Sequence, residues 1–206
     1  MLVATRSAGK LRELRAIFSA FDLEFVDPAA MGIPETPAED TLESFDTFEE
    51  NALAKARYFF EVSGGLLTFG DDSGMSVDVL GGEPGVYSKR WSGREDLKGK
   101  ALDDANNAKL VARMKDARLR DPARYTDTGK YVCVAVFKDD AGEVVRRGET
   151  AGRVLTLPRG NEGFGYDAYF EAPDLGGTFA ESTIEKTAAT SHRARAFRAL
   201  LGALRA

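Results

Sequence analysis

Two aspartates stand side by side in the stretch LLTFGDDSGM, residues 66–75. Adjacent carboxylates repel one another unless a cation or several donors offset their charge, so Asp71 and Asp72 point to something positive nearby. A hard divalent ion such as Mg²⁺ suits them, because it takes one or two carboxylates together with substrate phosphates and keeps its waters. In a strand, neighbouring side chains point to opposite faces, so one aspartate reaches an ion while the other orients backbone or water. An Asx turn closing the strand with Ser73 and Gly74 fits the same residues.

A second chemical candidate lies at the N-terminus. The order strand (LVAT), turn (RSAG) and helix (KLRELRAIFSAF) aims free backbone N–H groups at whatever sits above the turn, a place that suits an anion. Thr5 and Ser7 add hydroxyls, and Lys10 adds a full charge. The segment is not a P-loop: the first glycine of G-x-x-x-x-G-K-[ST] is missing, and Leu11 stands where the magnesium-binding hydroxyl belongs. An ordinary βα turn with a solvated lysine is the competing account. In the acidic run EDTLESFDTFEEN most carboxylates suit the start of a helix, and Glu43, ahead of the cap, is best placed to reach a sheet edge.

His192, the only histidine, lies in SHRARAFRAL on the last helix, where a surface or capped position is the ordinary outcome. GDDSGM is not G-x-S-x-G, so a Ser73 nucleophile with His192 as base has little support. In GFGYD two glycines flank Phe164, which suits a backbone close to a flat stacked ligand or, alternatively, an aromatic core strand with bulges. Cys133, the only cysteine, sits inside YVCVAVF, which excludes an internal disulfide and reads as a buried small hydrophobe.

The elements that must carry these residues follow from periodicity. Leu11, Leu14, Ile17, Phe18 and Phe21 share one helical face after the first strand. LEFVD (23–27) reads as a second strand, and Pro28, Pro34 and Pro37 make 28–43 a long loop. Thr47 and Glu50 form a capping box for the next helix. LLTFG is a third strand and MSVDVL a short fourth; 95–118 is helical. GKYVCVAVFKDD and GEVVRRGETAGRV pair around DDAGE, GFGYDAYFEAP is an irregular strand, and one helix closes the chain from about Ile184 to Leu204. The expected fold is α/β, an elongated mixed β-sheet flanked by helices, built as a single domain over 1–206. A second lobe is expected over about residues 115–180, with the active site in the cleft between lobes.

The chain has 206 residues, net charge −5, 43% hydrophobic and 30% charged residues, enough for a core without disulfides. The negative balance is the wrong sign for gripping long nucleic acid, and no apolar run suits a membrane span. MLVATRSAGK turns polar after four residues, unlike a secretory signal, so a cytoplasmic protein is expected.

Taken in order, ATRSAGK, TFEENALAKA, DDSGMSVDVLGGEPGVYSKRWSG, NNAKL, GFGYD, TFAE and SHRARA resemble the inosine triphosphate pyrophosphatase (XTP/dITP diphosphatase) family over almost the full length. The resemblance implies Mg²⁺-dependent hydrolysis of ITP, dITP and XTP, non-standard purine nucleoside triphosphates, to the monophosphate and pyrophosphate. It implies that Thr5, Arg6, Ser7, Ala8, Gly9 and Lys10 hold the triphosphate, that Glu43 and Asp72 ligate magnesium, and that Asp72 is the general base. It further implies that Ser73 contacts substrate and that Phe164, Gly165, Tyr166, Asp167, Lys186, His192 and Arg193 form the nucleotide and base pocket. A homodimer is expected from the family, with Tyr87 and Trp91 as candidate interface residues. The chain departs from the family pattern at Arg6 and Ser7, at Ser44 and Phe45 after Glu43, and at Ala168. It also carries one extra residue between Lys186 and His192, which on a continuous helix rotates Lys186 by about 100 degrees.

Overall fold

The computed structural model describes residues 1–205. Strand β1 (Leu2–Val3) is buried and leads into helix α1 (Ala8–Ser19). Ser7 stays extended and its hydroxyl accepts from the Lys10 N–H, which ends the strand and starts the helix. Leu14, Ile17 and Phe18 recur at helical spacing and are buried, and Phe18 meets Phe25, Phe69 and Phe197 edge-on.

LEFVD does not form a strand beyond a single parallel bridge between Leu2 and Val26. β1 is only two residues long, and Pro28 lacks the N–H that further pairing needs. The loop 28–43 contains a short 3-10 turn, Pro37–Thr41, capped by Thr36 and Glu39. Helix α2 (Phe48–Val62) starts at Thr47, whose Oγ1 accepts from Glu50 N. The Glu50 carboxylate accepts a hydrogen bond from the Thr47 hydroxyl at 2.7 Å, a variant of the expected box.

Strand β2 runs unbroken from Thr68 to Val77, so the two expected strands are one and the aspartate pair lies inside it, not in a closing turn. Only a 3-10 turn, Asp78–Leu80, follows. Gly70 lets α2 lie close to this strand: a Cβ there would stand 3.0 Å from the Ala56 Cβ and 3.1 Å from the Ala52 carbonyl.

Helix α3 (Lys100–Arg120) precedes strands β3 (Thr128–Asp139) and β4 (Gly142–Val154). Asp139 Oδ1 accepts from the N–H groups of Ala141 and Gly142, and so tight a connection between neighbouring strands makes them antiparallel. GFGYDAYFEAP is a strand only at its end: a 3-10 turn, Asp167–Tyr169, leads into β5 (Phe170–Ala172), then β6 (Gly177–Thr178). The expected last helix is two, α4 (Ile184–Thr190) and α5 (His192–Ala203). Ser191 breaks them, staying extended and accepting from Ala194 N at 3.1 Å as the α5 N-cap. The extra residue between Lys186 and His192 therefore does not rotate one relative to the other on a shared helix.

The sheet order is β1-β2-β3-β4-β5-β6, mixed because β1 pairs parallel with β2 while β4, β5 and β6 pair antiparallel. The chain divides into two compact units whose bounds fall inside β2, β3 and β4 and between α4 and α5. The first gathers residues 1–73, 133–149 and 191–206. The second takes 74–132 and 150–190, starting well before the expected position near 115. Its core joins Met75, Val77, Leu110, Met114, Tyr131, Phe170 and Phe179, and includes Trp91, which is 8% exposed and therefore unlike an interface residue.

Candidate active site

Within the first unit, β2 sets Asp71 and Asp72 side by side, and strand alternation gives them different surroundings. Asp71 is buried; its Oδ2 meets Lys10 Nζ at 3.0 Å and Arg193 Nε at 3.4 Å. Its backbone carbonyl accepts from Lys55 Nζ at 2.8 Å. Burial alone would raise this carboxyl, but Lys10, Arg193 and Lys55 hold it well below the usual carboxylate range. The neighbouring Cys133 thiol is pushed up by burial and by Asp71, which removes it as a nucleophile.

Asp72 is also buried but accepts weaker donors: Asn51 Nδ2 at 3.0 Å on Oδ2 and the Ser73 N–H at 2.9 Å on Oδ1. Burial raises its pKa, and the charge of Glu43 adds to this, outweighing the opposite pull of Lys55 and Lys10. The two adjacent carboxyls thus shift in opposite directions, the pattern that marks one for structure and the other for proton transfer.

Lys55 links the parts. Its ammonium pairs with Glu43 Oε1 and with the Asp71 carbonyl while only 6% exposed. Burial would lower its pKa, yet Glu43, Asp72 and Asp71 raise it, so it stays charged. Asn51 and Lys55 are four apart on α2, polar interruptions of a buried face that otherwise carries Phe48, Ala52, Ala56 and Phe59.

Arg193, in the first turn of α5, is fully buried. Its guanidinium pairs with Glu13 of α1 through Nη1 and donates to Ser73 Oγ at 2.8 Å through Nη2. His192 beside it is buried instead of at the surface, and burial, then Arg193 and Lys10, hold its pKa well below ordinary, so the imidazole is neutral. Gly148 of β4 allows this packing, because a Cβ there would fall 2.3 Å from the His192 carbonyl.

The first turn of α1 presents the N–H groups of Ala8 and Gly9, which lack intrahelical acceptors, as any helix start does. Thr5 is buried and its hydroxyl accepts from Ser7 N at 3.2 Å. Arg6 points its side chain elsewhere: Nε and Nη2 grip Glu39 at 2.7 and 2.8 Å, Nη2 also reaches the Ile33 and Pro34 carbonyls, and the guanidinium lies over Phe59. It holds the 28–43 loop. Thr5, Lys10, Glu43, Asp72, Ser73, His192 and Arg193 thus all belong to one unit with Asp71.

Phe164, Gly165, Tyr166, Asp167 and Lys186 belong to the second unit. Phe164 N donates to Asp167 Oδ2 at 2.8 Å, Tyr166 OH to the Ser88 carbonyl at 2.8 Å, and Tyr131 OH to Asp167 Oδ1 at 3.2 Å. Lys186 Nζ donates to the Leu175 carbonyl at the end of a 3-10 turn.

Sequence reading missed Lys55, Asn51 and Glu13. Each is a polar residue at core spacing: Glu13 stands three after Lys10 and one before the buried stripe Leu14, Ile17, Phe18. That misfit between pattern and polarity was the available signal.

Glu43 and Asp72 are the carboxylates of this site that could hold a hard divalent ion. Among the described residues no group of three or more His, Cys, Asp or Glu gathers to hold a metal. Two carboxylates, Glu43 and the pKa-raised Asp72, nevertheless act on the same buried Lys55, and Mg²⁺ sites commonly use one or two carboxylates with substrate phosphates. Asp71, by contrast, spends its charge on Lys10 and Arg193.

The chain matches the Ham1 family over residues 1–203. It is 41% identical over 204 residues to the dITP/XTP pyrophosphatase of Halorhodospira halophila, covering 98% of this chain and 94% of that protein. It is 41% identical to the dITP/XTP pyrophosphatase of Escherichia coli O157:H7, covering 100% of this chain and 98% of that one. Among solved structures, a HAM1 protein from Coxiella burnetii superposes with TM-score 0.78 at 27% identity, over 98% of this chain and 96% of its own. The Mycobacterium abscessus nucleoside-triphosphatase (dITP/XTP pyrophosphatase) superposes with TM-score 0.67 at 36% identity, over 98% of each.

Proposed function

The chain belongs to the Ham1 family, and from that premise we propose that it hydrolyses non-standard purine nucleoside triphosphates, ITP, dITP and XTP, to the monophosphate and pyrophosphate. The observation that carries the chemistry is the divided aspartate pair. Asp71 is locked in its ionised form by Lys10 and Arg193, while Asp72 is buried, raised in pKa and held by the neutral donors Asn51 Nδ2 and Ser73 N–H.

In this reading Asp72 accepts a proton from the water that attacks phosphorus at the bond between the α- and β-phosphates. A raised pKa makes it a stronger base than an ordinary aspartate. Lys10 and the exposed N–H groups of the first α1 turn bind phosphate oxygens and offset the charge that gathers on departing pyrophosphate. Lys55 stays charged beside the same carboxylates and keeps Glu43 in place. Glu43 and Asp72 would hold Mg²⁺, which when bound screens phosphate charge and orients water. Arg193, braced by Glu13 and Asp71, presents a rigid cationic group beside Ser73, and neutral His192 offers a hydrogen-bonding partner for a 6-oxopurine. Phe164 to Asp167 and Lys186 would contact the nucleotide, the base stacking on the Phe164 ring.

We also propose a cytoplasmic homodimer. No helix among the described residues is long and apolar enough to cross a membrane, and Tyr87, 48% exposed with Arg90 over its ring, offers an aromatic surface group of the kind interfaces use. Sedimentation at micromolar concentration reads the oligomeric state.

The test is pyrophosphate release by purified protein with Mg²⁺ from ITP, XTP, dITP, GTP, ATP and dTTP, with an EDTA control. Preference for the first three, lost with EDTA, is expected. A protein that binds ITP but releases nothing would be a sensor instead, and one that prefers dTTP would be a pyrimidine enzyme.

A further inference from the structure

The turn that carries Phe164 has a glycine on either side, and Gly163 and Gly165 both adopt positive φ, +80° and +60°. Two glycines around one aromatic ring are the residues least able to keep that ring still. The second unit nevertheless binds every main-chain polar group of the two central residues. Phe164 N donates to Asp167 Oδ2 at 2.8 Å, and Phe164 O accepts from Asp167 N at 3.2 Å. Gly165 N donates to Asp103 Oδ2 at 3.0 Å, and Gly165 O accepts from Asn107 Nδ2 at 2.9 Å.

Asp103 and Asn107 stand four apart on α3, so they lie on one face one turn from each other and grip both polar groups of a single residue. Asn107 is 8% exposed, which is unfavourable for an amide. Its Nδ2 is used on Gly165 O while its buried Oδ1 has no hydrogen-bond partner among the described residues, so the bond to Gly165 is the one the buried amide makes. The adjacent Asn106 treats the preceding loop the same way, accepting from Ser92 N at 2.7 Å and donating to the Lys89 carbonyl at 2.9 Å. Polar residues on the inner face of α3 thus serve as a template for loops, while Leu110 and Met114 further along supply its packing. What the template leaves uncommitted at the turn is the half-buried Phe164 side chain.

We propose that Asp103 and Asn107 are positioning residues that fix the Phe164 turn as a preformed platform for the nucleobase. The inference rests on the reading above in which Phe164 stacks on the base. A turn ordered during folding does not have to be ordered by the substrate, so the benefit appears as tighter nucleotide binding. Glycine at 165 permits the backbone hand that turns its N–H and C=O toward the two α3 side chains, and a Cβ there would meet open space, so backbone conformation and not crowding is the reason for glycine.

The experiment is steady-state ITP hydrolysis with Mg²⁺ by the full chain carrying Asp103→Ala, Asp103→Asn, Asn107→Leu, Phe164→Ala, or Asp103→Ala combined with Phe164→Ala. Losing one clamp bond is expected to raise KM about tenfold, with a smaller change in kcat. Asp103→Asn, whose amide oxygen still accepts from Gly165 N, is expected to recover most of the loss. In the Phe164→Ala background Asp103→Ala is expected to add less than about twofold, because the clamp acts through the missing ring. The inference is overturned if Phe164→Ala raises KM while neither Asp103→Ala nor Asn107→Leu does. It is equally overturned if Asp103→Ala costs as much without the ring as with it, or if Asp103→Asn is no better than Asp103→Ala. If Phe164→Ala itself leaves KM unchanged, the stacking reading falls first and this inference falls with it. Asn107→Leu and Asp103→Ala act on opposite ends of the same residue, so failure of one to fold leaves the other as the test.

Discussion

Lys10 Nζ stands 3.0 Å from Asp71 Oδ2, tying the first turn of α1 to the middle of β2. Through the same oxygen Asp71 also meets Arg193, so one buried carboxylate orients a cation from each end of the chain. Among the described residues its neighbour Asp72 has no ion pair of this kind, and it stands in a setting that disfavours its charge.

Opposite stabilities are therefore expected for the two isosteric substitutions. Asp71→Asn leaves Lys10 and Arg193 buried with less compensation and should destabilise by about 3–5 kcal/mol, as loss of one partner of a buried ion pair does. Asp72→Asn removes a charge that burial disfavours and should leave stability unchanged or higher, while turnover falls at least about 100-fold. Urea unfolding of the two variants beside ITP assays separates these outcomes; equal destabilisation would contradict the assignment.

The acid limb of kcat/KM for ITP should lie above the range of an ordinary aspartate, because burial and Glu43 raise the Asp72 pKa and the base must be ionised to act. Raising Mg²⁺ should move that limb to lower pH, since a nearby cation favours the ionised form. For stability the sign runs the other way at each aspartate. Asp71, lowered in the folded state, adds stability above its unfolded pKa of about 3.9, lost as pH falls through its folded value. Asp72, raised, lowers stability as pH rises through the interval between its unfolded and folded values. A pH-rate series at two Mg²⁺ concentrations reads the first effect, and pH-dependent unfolding of Asp71→Asn against the unaltered chain reads the second.

Lys55→Met keeps the length of the stem but removes the charge that lowers the Asp72 pKa and pairs with Glu43. The acid limb should move to higher pH and the maximal rate should fall at least tenfold, about the effect of one misplaced charge in a water-poor site. An unshifted limb would show that Lys55 serves packing alone.

Arg6→Ala should act on the loop and leave the aspartate pair intact. Its bidentate grip on Glu39 and its bonds to Ile33 and Pro34 carbonyls hold residues 33–39. Hydrogen exchange in that segment should quicken, with a loss of about 1–2 kcal/mol in its local protection, while amides of β2 keep theirs.

Much of this was legible in residue order. Thr47 caps the helix that it precedes, because a short side-chain oxygen beside a free N–H is a local relationship. Periodicity located α1 and α3, and two strand runs around the DDAGE turn located the β3–β4 pair, for the same reason. LEFVD failed as a strand because pairing depends on the length of its partner, β1, and the final helix broke at Ser191 because its own N-cap outweighed a run of helix formers. Neither the length of a partner nor the competition between a cap and propensity appears in a local window.

By itself the sequence determined which residue types were available for the chemistry and, through its ordered motifs, the family. Only the tertiary structure decided what each aspartate does. Asp71 and Asp72 are adjacent and chemically identical, and their difference arises from Lys10 of α1, Lys55 and Asn51 of α2, and Arg193 of α5, residues up to 122 positions away. A pKa is set by burial and by charges within a few ångströms, and distance along the chain says nothing about either.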